Sequence, residues 1–162
     1  MMTDLKVHFT SNSDDWATPQ YLVDWSKGRF FRSYRMFDLD VCASDSNHKA
    51  SKYYTVDDDG LKQAWHGNVW LNPPYGRVIG QWIDKAVNEV ARGEVASITL
   101  CVPARVETKW WHNMISNGAE VVFIKGRVKF GDGKSSAPFP SALVHLSQLN
   151  TGVVKTTYEV VE

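Results

Sequence analysis

The stretch VWLNPPYGRVIGQWIDKAVNEVARGEVASITLCV, residues 69–102, carries the pattern from which the rest of the chain is read. Val69, Trp70 and Leu71 form a short apolar run that stops at Asn72. A residue ahead of proline is pushed out of the helical region, and two prolines cannot donate to a ladder. Beyond the turn, Val78, Ile79, Trp82, Ile83, Ala86, Val87 and Val90 recur at spacings of three and four, the stripe of an amphipathic helix, and Gly93 stops it. VASITLCV is then nearly all apolar and predicts a strand buried on both faces, in a sheet covered by helices. Strand, helix and strand in this order point to an α/β domain with a largely parallel sheet.

The same alternation continues outward. ETKWWHNMISNG places Trp110 or Trp111 with Met114 and Ile115 on one helical stripe ahead of Gly118, and AEVVFI reads as another buried strand. Near the end, SALVHLSQL and GVVKTTYEVV read as two strands around a turn at residues 150–152, an antiparallel hairpin at the sheet edge. Upstream, MFDLDVC predicts a strand ending at Cys42, and SDSNHKASKYY a loop or one helical turn. In WATPQYLVDW, Thr18 can cap a helix that takes Pro19 in its first turn and runs to about Lys27. Residues 1–15 lack an apolar period and read as a loose arm. A chain of 162 residues with 43% hydrophobic content is expected to close one core, as a single domain over residues 1–162.

Composition excludes several classes. No run approaches the ~18 apolar residues of a membrane span, and the N-terminus is too polar for a secretory signal, so a cytoplasmic protein without a membrane partner is expected. Cys42 and Cys101 lie in apolar runs and read as reduced, packed thiols, and the five histidines show no metal-ligand spacing, so no metal is expected. The net charge is zero, so a nucleic-acid partner would have to be held by a local patch. KGRFFRSYR, with Lys27, Arg29, Arg32 and Arg35 among Phe30, Phe31 and Tyr34, is one such patch. KGRVKFGDGK, with Lys125, Arg127, Lys129 and Lys134, is the other. Each reads equally as a solvated face or as a phosphate-tracking surface.

In an open α/β sheet, ligands bind at the carboxyl ends of the strands, where NPPYG must lie. Paired prolines stiffen the backbone there, so the Asn72 amide oxygen and the Pro73 carbonyl can converge as two acceptors beside the flat face of Tyr75. That arrangement suits a planar amine conjugated to a ring, such as the exocyclic amine of adenine. Accepting its hydrogens frees the nitrogen lone pair for attack on an activated methyl, and a sulfonium cofactor would carry that methyl.

WATP, FDLDVCAS followed by Asn47, YYTVDDDGL, VWLNPPYG, VPAR with KWWH after it, and GRVKF with APFPSAL follow one another in an order that resembles the phage-type DNA N-6-adenine methyltransferases, over residues 16–145. The resemblance implies a Rossmann-like fold using S-adenosylmethionine, with Asn72, Pro73, Pro74 and Tyr75 as the catalytic motif and double-stranded DNA as partner. About thirty residues separate Asp40 from Asn72, so the sheet is expected to be trimmed. By the same resemblance Thr18 and Pro19 belong to an N-terminal cofactor element. Asp40 would hold the cofactor's amino group, and Ala43 stands with Ser44 where many methyltransferases carry glycines. Asp58 and Asp59, in the run Asp57 to Asp59, would face the cofactor's hydroxyls or adenine amine, or else form a solvated turn. Arg105 would contact a DNA phosphate or pair with Glu107, Lys129 and Lys134 would follow the backbone, and Phe139 would meet the extruded base. A phage-type relative would act in the bacterial host's cytoplasm and shield viral DNA from host nucleases. Methylation of RNA or of protein glutamine, or a non-catalytic DNA-binding protein that keeps the fold, are the alternatives.

Overall fold

The computed structural model describes residues 16–31 and 36–149, and residues 155–159 as backbone. In chain order the elements are α1 (Gln20–Phe31), β1 (Leu39–Asp40), a 3-10 turn (Gly60–Lys62), β2 (Gly67–Leu71) and α2 (Ile79–Arg92). Then come β3 (Val95–Pro103), α3 (Lys109–Ser116), β4 (Glu120–Ile124), β5 (Ser141–Ser147) and β6 (Lys155–Glu159). The strands form one sheet in the order β1-β2-β3-β5-β4-β6. β1, β2 and β3 are parallel neighbours, β5 is antiparallel to both β3 and β4, and β4 is parallel to β6, so among the described strands β5 alone runs against the rest.

Strand periodicity divides the core in two. Val69, Leu71, Ile98, Leu100, Val102, Val121 and Val144 pack with Ile79, Trp82, Ile83, Ala86 and Val90 of α2 and Trp111 and Met114 of α3. Trp70, Cys101, Val122 and Leu143 point the other way, to Leu22 and Val23 of α1 and to Val128, Phe130 and Ala137 of the β4–β5 loop. Both faces are therefore covered, which is why β3 reads as an almost unbroken apolar run. α2 ends as its stripe requires, with Gly93 in the left-handed region at φ 90° and its N–H on the Val90 carbonyl. Thr108 caps α3 by accepting from the Trp111 amide.

Four expectations change. The two C-terminal strands form no hairpin: β5 inserts between β3 and β4, and β6 takes the far edge beside β4, parallel to it. Alternation alone cannot tell an edge strand from one recruited into the sheet interior. α1 runs on to Phe31, past Gly28, a position with nothing within 4 Å of a would-be Cβ. Thr18 does not cap it; its side chain is buried, and the Pro19 carbonyl accepts from Leu22 and Val23 instead. β1 closes at Asp40, two residues before the expected end at Cys42. Between β1 and β2 there is only an isolated bridge of Asp40 to Tyr53 and the 3-10 turn, the shortening expected of a trimmed sheet. The expected loose arm and the turn at residues 150–152 lie outside the described residues.

Candidate active site

β2 delivers Asn72 to the carboxyl edge of the sheet, on the side opposite Leu71, with Pro73 and Pro74 buried behind it. Asn72 is 7% exposed, and both ends of its amide are engaged. Nδ2 donates to the Trp16 carbonyl at 2.7 Å, while Oδ1 accepts from the Tyr75 hydroxyl at 2.9 Å. A carbonyl can only accept, so Trp16 fixes which way the amide faces. The Tyr75 hydroxyl also reaches the Cys101 carbonyl at 3.2 Å. Burial raises this phenol well above its ordinary pKa and keeps it a neutral donor.

Tyr75 is not an open plate. Its ring meets Phe139 edge-on at 5.4 Å, Trp16 at 6.0 Å and Phe130 at 6.3 Å, and Trp16 stacks on Phe139 at 5.5 Å. Two chain segments, the stretch ahead of α1 and the β4–β5 loop, thus close on the turn. Gly131 donates to the Ala17 carbonyl and Ala104 to the Pro140 carbonyl, which seats the β4–β5 loop over it.

Beside Pro74 opens a cavity of about 730 Å³ between the β1 exit and α2. Val41, Leu61 and Trp82 supply apolar walls, and Ala43, Asp57 and Asp59 lie on its lining. Trp82 Nε1 is buried there without a partner. Gly60 is required where the 3-10 turn crosses β1, since a Cβ would collide with the Val41 carbonyl. An apolar slot with carboxylates at its rim suits an adenosyl group bearing hydroxyls and an amine.

The expected cofactor residues divide. Ala43 and Asp59 line the cavity; Thr18, Pro19, Asp40 and Asp58 do not. Asp40 is 3% exposed and accepts from the amides of Cys42 at 3.2 Å and Lys49 at 2.9 Å, closing the loop after β1. Burial pushes its carboxyl up to about 6. Asp58 accepts from the Thr55 amide at 2.8 Å and so closes its own turn. Asp59, at φ 55°, accepts from Leu61 N. Asp57, exposed on the lining, makes no hydrogen bond or ion pair among the described residues. Burial pushes the Cys101 thiol up to about 12 and raises Cys42 as well, so neither is a nucleophile.

The basic residues also divide. Lys125, Arg127 and Lys129 are exposed on the β4–β5 loop while Val128 and Phe130, alternating with the last two, are buried, and none of the three makes an ion pair among the described residues. Lys134 lies 3.9 Å from Asp132 on the same loop. Arg105 pairs with Glu107 at 3.0 Å, both exposed. In the other patch, Lys27 pairs with Asp24 and Arg29 with Glu120, while Phe30 stacks on His145 and Phe31 meets Phe37. Those aromatics are packed inward rather than offered to bases; Arg32, Tyr34 and Arg35 lie outside the described residues. Trp16, Phe130 and Trp82 were not expected at the site. Trp82 sits on the helix stripe as any core residue would, and the role of Trp16 rests on its main-chain carbonyl, which no side chain advertises. Among the described residues no cluster of His, Cys, Asp or Glu could hold a metal, and no helix is long and apolar enough to cross a membrane.

Residues 7–146 match the family described as DNA N-6-adenine-methyltransferase (Dam). A DNA N-6-adenine-methyltransferase of Escherichia phage T1 is 33% identical over 114 residues, 69% of this chain and 45% of that one. Another, of Haemophilus phage HP1, is 30% identical over 122 residues, 74% of this chain and 68% of that one. The chain therefore spans less than half the length of the T1 relative and about two thirds of the HP1 relative. Among solved structures, a predicted O-methyltransferase from Agrobacterium tumefaciens aligns with a TM-score of 0.38 at 19% identity, over 64% of this chain and 45% of that one.

Proposed function

Because the chain belongs to the DNA N-6-adenine-methyltransferase family, we propose that it transfers a methyl group from S-adenosylmethionine to the exocyclic amine of adenine in double-stranded DNA. The observation that carries this reading is the held orientation of Asn72, whose Oδ1 points toward the aromatic cluster while Nδ2 is tied to Trp16. Oδ1 and the Pro73 carbonyl are the acceptors for the two amine hydrogens of an extruded adenine. The amine takes the place of the Tyr75 hydroxyl on Oδ1, and that hydroxyl keeps a partner in the Cys101 carbonyl. The exchange leaves no buried donor unpaired, so it avoids the ~1–3 kcal/mol cost of an orphaned group. Tyr75 and Phe139, parted from each other and from Trp16, receive the faces of the base.

The cavity beside Pro74 fits the cofactor. Leu61, Val41 and Trp82 would hold its adenine, and Asp57 and Asp59 would face its hydroxyls or amine. Bound there, S-adenosylmethionine supplies an electrophilic methyl on sulfur. The chain's own part is alignment, desolvation and acceptance of the amine hydrogens; no side chain needs to act as a strong base. Lys125, Arg127 and Lys129 supply the local positive charge that the neutral chain as a whole lacks.

Incubation with labelled S-adenosylmethionine and unmethylated DNA, RNA or protein extract tests the assignment. Label is expected in DNA as N-6-methyladenine. Label confined to RNA or protein, or no label with the cofactor bound, would overturn it.

A further inference from the structure

A second cleft, of about 560 Å³, opens between the first turns of α2 and α3 and begins on Gly76 and Arg77, directly after Tyr75. Gly80 and Asp84 lie one helical turn apart on its α2 side, and Lys109, Trp110 and Asn113 form its α3 side. The one carboxylate on its lining, Asp84, is exposed, and its Oδ1 accepts from Asn113 Nδ2 at 2.9 Å. Arg77 and Lys109 are exposed and make no ion pair among the described residues. The cleft thus carries two cations against one carboxylate, with the half-buried Trp110 as an aromatic wall.

Gly80 is an independent sign. It is the second residue of α2, where glycine is a poorer helix former than alanine, yet nothing lies within 4 Å of a would-be Cβ. Packing does not demand a glycine there. The bare backbone does keep the cleft open.

Resting on the reading of the chain as a DNA methyltransferase, we propose that this cleft seats a phosphodiester next to the target adenosine, held by Arg77 and Lys109, with the adjoining sugar against Trp110. Arg77 Cα lies within two peptide steps of Tyr75 Cα, at most about 7.6 Å, so the seat and the base site belong to neighbouring positions of one strand. A guanidinium and an ammonium lining one polar cleft suit a phosphate, and the indole suits the less polar deoxyribose. The contact is with the backbone and carries no sequence information.

The test compares the full chain with an Arg77→Gln/Lys109→Gln double variant and a Gly80→Leu variant. Affinity for unmethylated duplex DNA is measured by anisotropy across a salt series, with cofactor affinity and melting temperature alongside. Removing the two cations should weaken DNA binding about tenfold near 0.1 M salt and reduce the salt slope by about one, leaving cofactor affinity unchanged. Filling the cleft at Gly80 should weaken DNA binding without lowering the melting temperature. If both variants bind DNA with the unaltered slope and affinity while the parent chain methylates DNA, the phosphate seat is wrong and the methyltransferase reading stands. If the parent chain methylates no DNA, that reading and the seat fall together.

Discussion

Asn72 is held by a main-chain carbonyl on one side and a phenol on the other, and the two contacts have different tasks. The first orients the amide; the second satisfies its oxygen. Asn72→Ala should lower turnover by about 100-fold or more, the scale of one preorganised hydrogen-bonding group, with cofactor affinity within twofold. Steady-state kinetics and calorimetry check this, and equal loss of both would reject the role. Tyr75→Phe removes the competing hydroxyl and keeps the ring. Its kcat/KM should stay within about threefold, whereas Tyr75→Ala should fall more than about tenfold because the stacking face is gone. His145 is instructive for another reason. Burial pushes it down to about 4, and it faces Thr99 and the Phe30 ring in the core. The unfolded chain therefore takes up the proton first as pH falls. The stability tied to neutral His145 is fully present above about 6.5 and is lost as pH falls toward 4. The destabilisation caused by His145→Gln, read as a difference in melting temperature, should narrow over that window.

At the scale of elements, α2 and β3 are legible because a single requirement, burial, sets their pattern. Trp82, Ile83, Ala86 and Val90 must share a face, and Ile98, Leu100 and Val102 must alternate with Thr99 and Cys101. The pairing of β5 and β6 is not legible, because a strand's own pattern says nothing of which edge it joins. Asp40 shows the same limit in the site. An acidic residue at the end of a first strand looks like a cofactor ligand, but which group it meets depends on the loop to Lys49, and that loop folds back to offer it amides. The three aspartates of the Thr55–Asp59 turn separate for a similar reason: one closes the turn, one caps the helical turn after it, and Asp57 faces outward. α3 gives a local test. Thr108 accepts from the Trp111 amide and donates to the Arg105 carbonyl, so Thr108→Ala should cost about 1 kcal/mol, a fall of about 2–4 °C in melting temperature.

For the whole molecule, charge is balanced in number and uneven in place. Lys27 and Arg29 of α1 are tied to acids, whereas Lys125, Arg127 and Lys129 stand without an ion pair among the described residues, on the loop that covers the site. Replacing those three by glutamine should leave cofactor binding intact, weaken DNA binding uniformly across sequences, and reduce the salt slope by up to about 0.9 for each phosphate no longer neutralised. Filter binding over a salt series measures it. The NPPY turn between its flanking strand and helix could be read from the sequence, because those residues are contiguous. The aromatic cluster could not, since Trp16, Tyr75, Phe130 and Phe139 come together only through the sheet.

The antiparallel β5 also bears on how the chain is made. β4 reaches β3 only through β5, so until residues 141–147 have left the ribosome the nascent sheet consists of two unjoined parts, with the long inner edge of β3 uncovered. Phe139 and Pro140 enter the site with that same strand. Synthesis stalled earlier should therefore yield a sticky intermediate, and the candidate site is completed in one late step as the last interior strand docks.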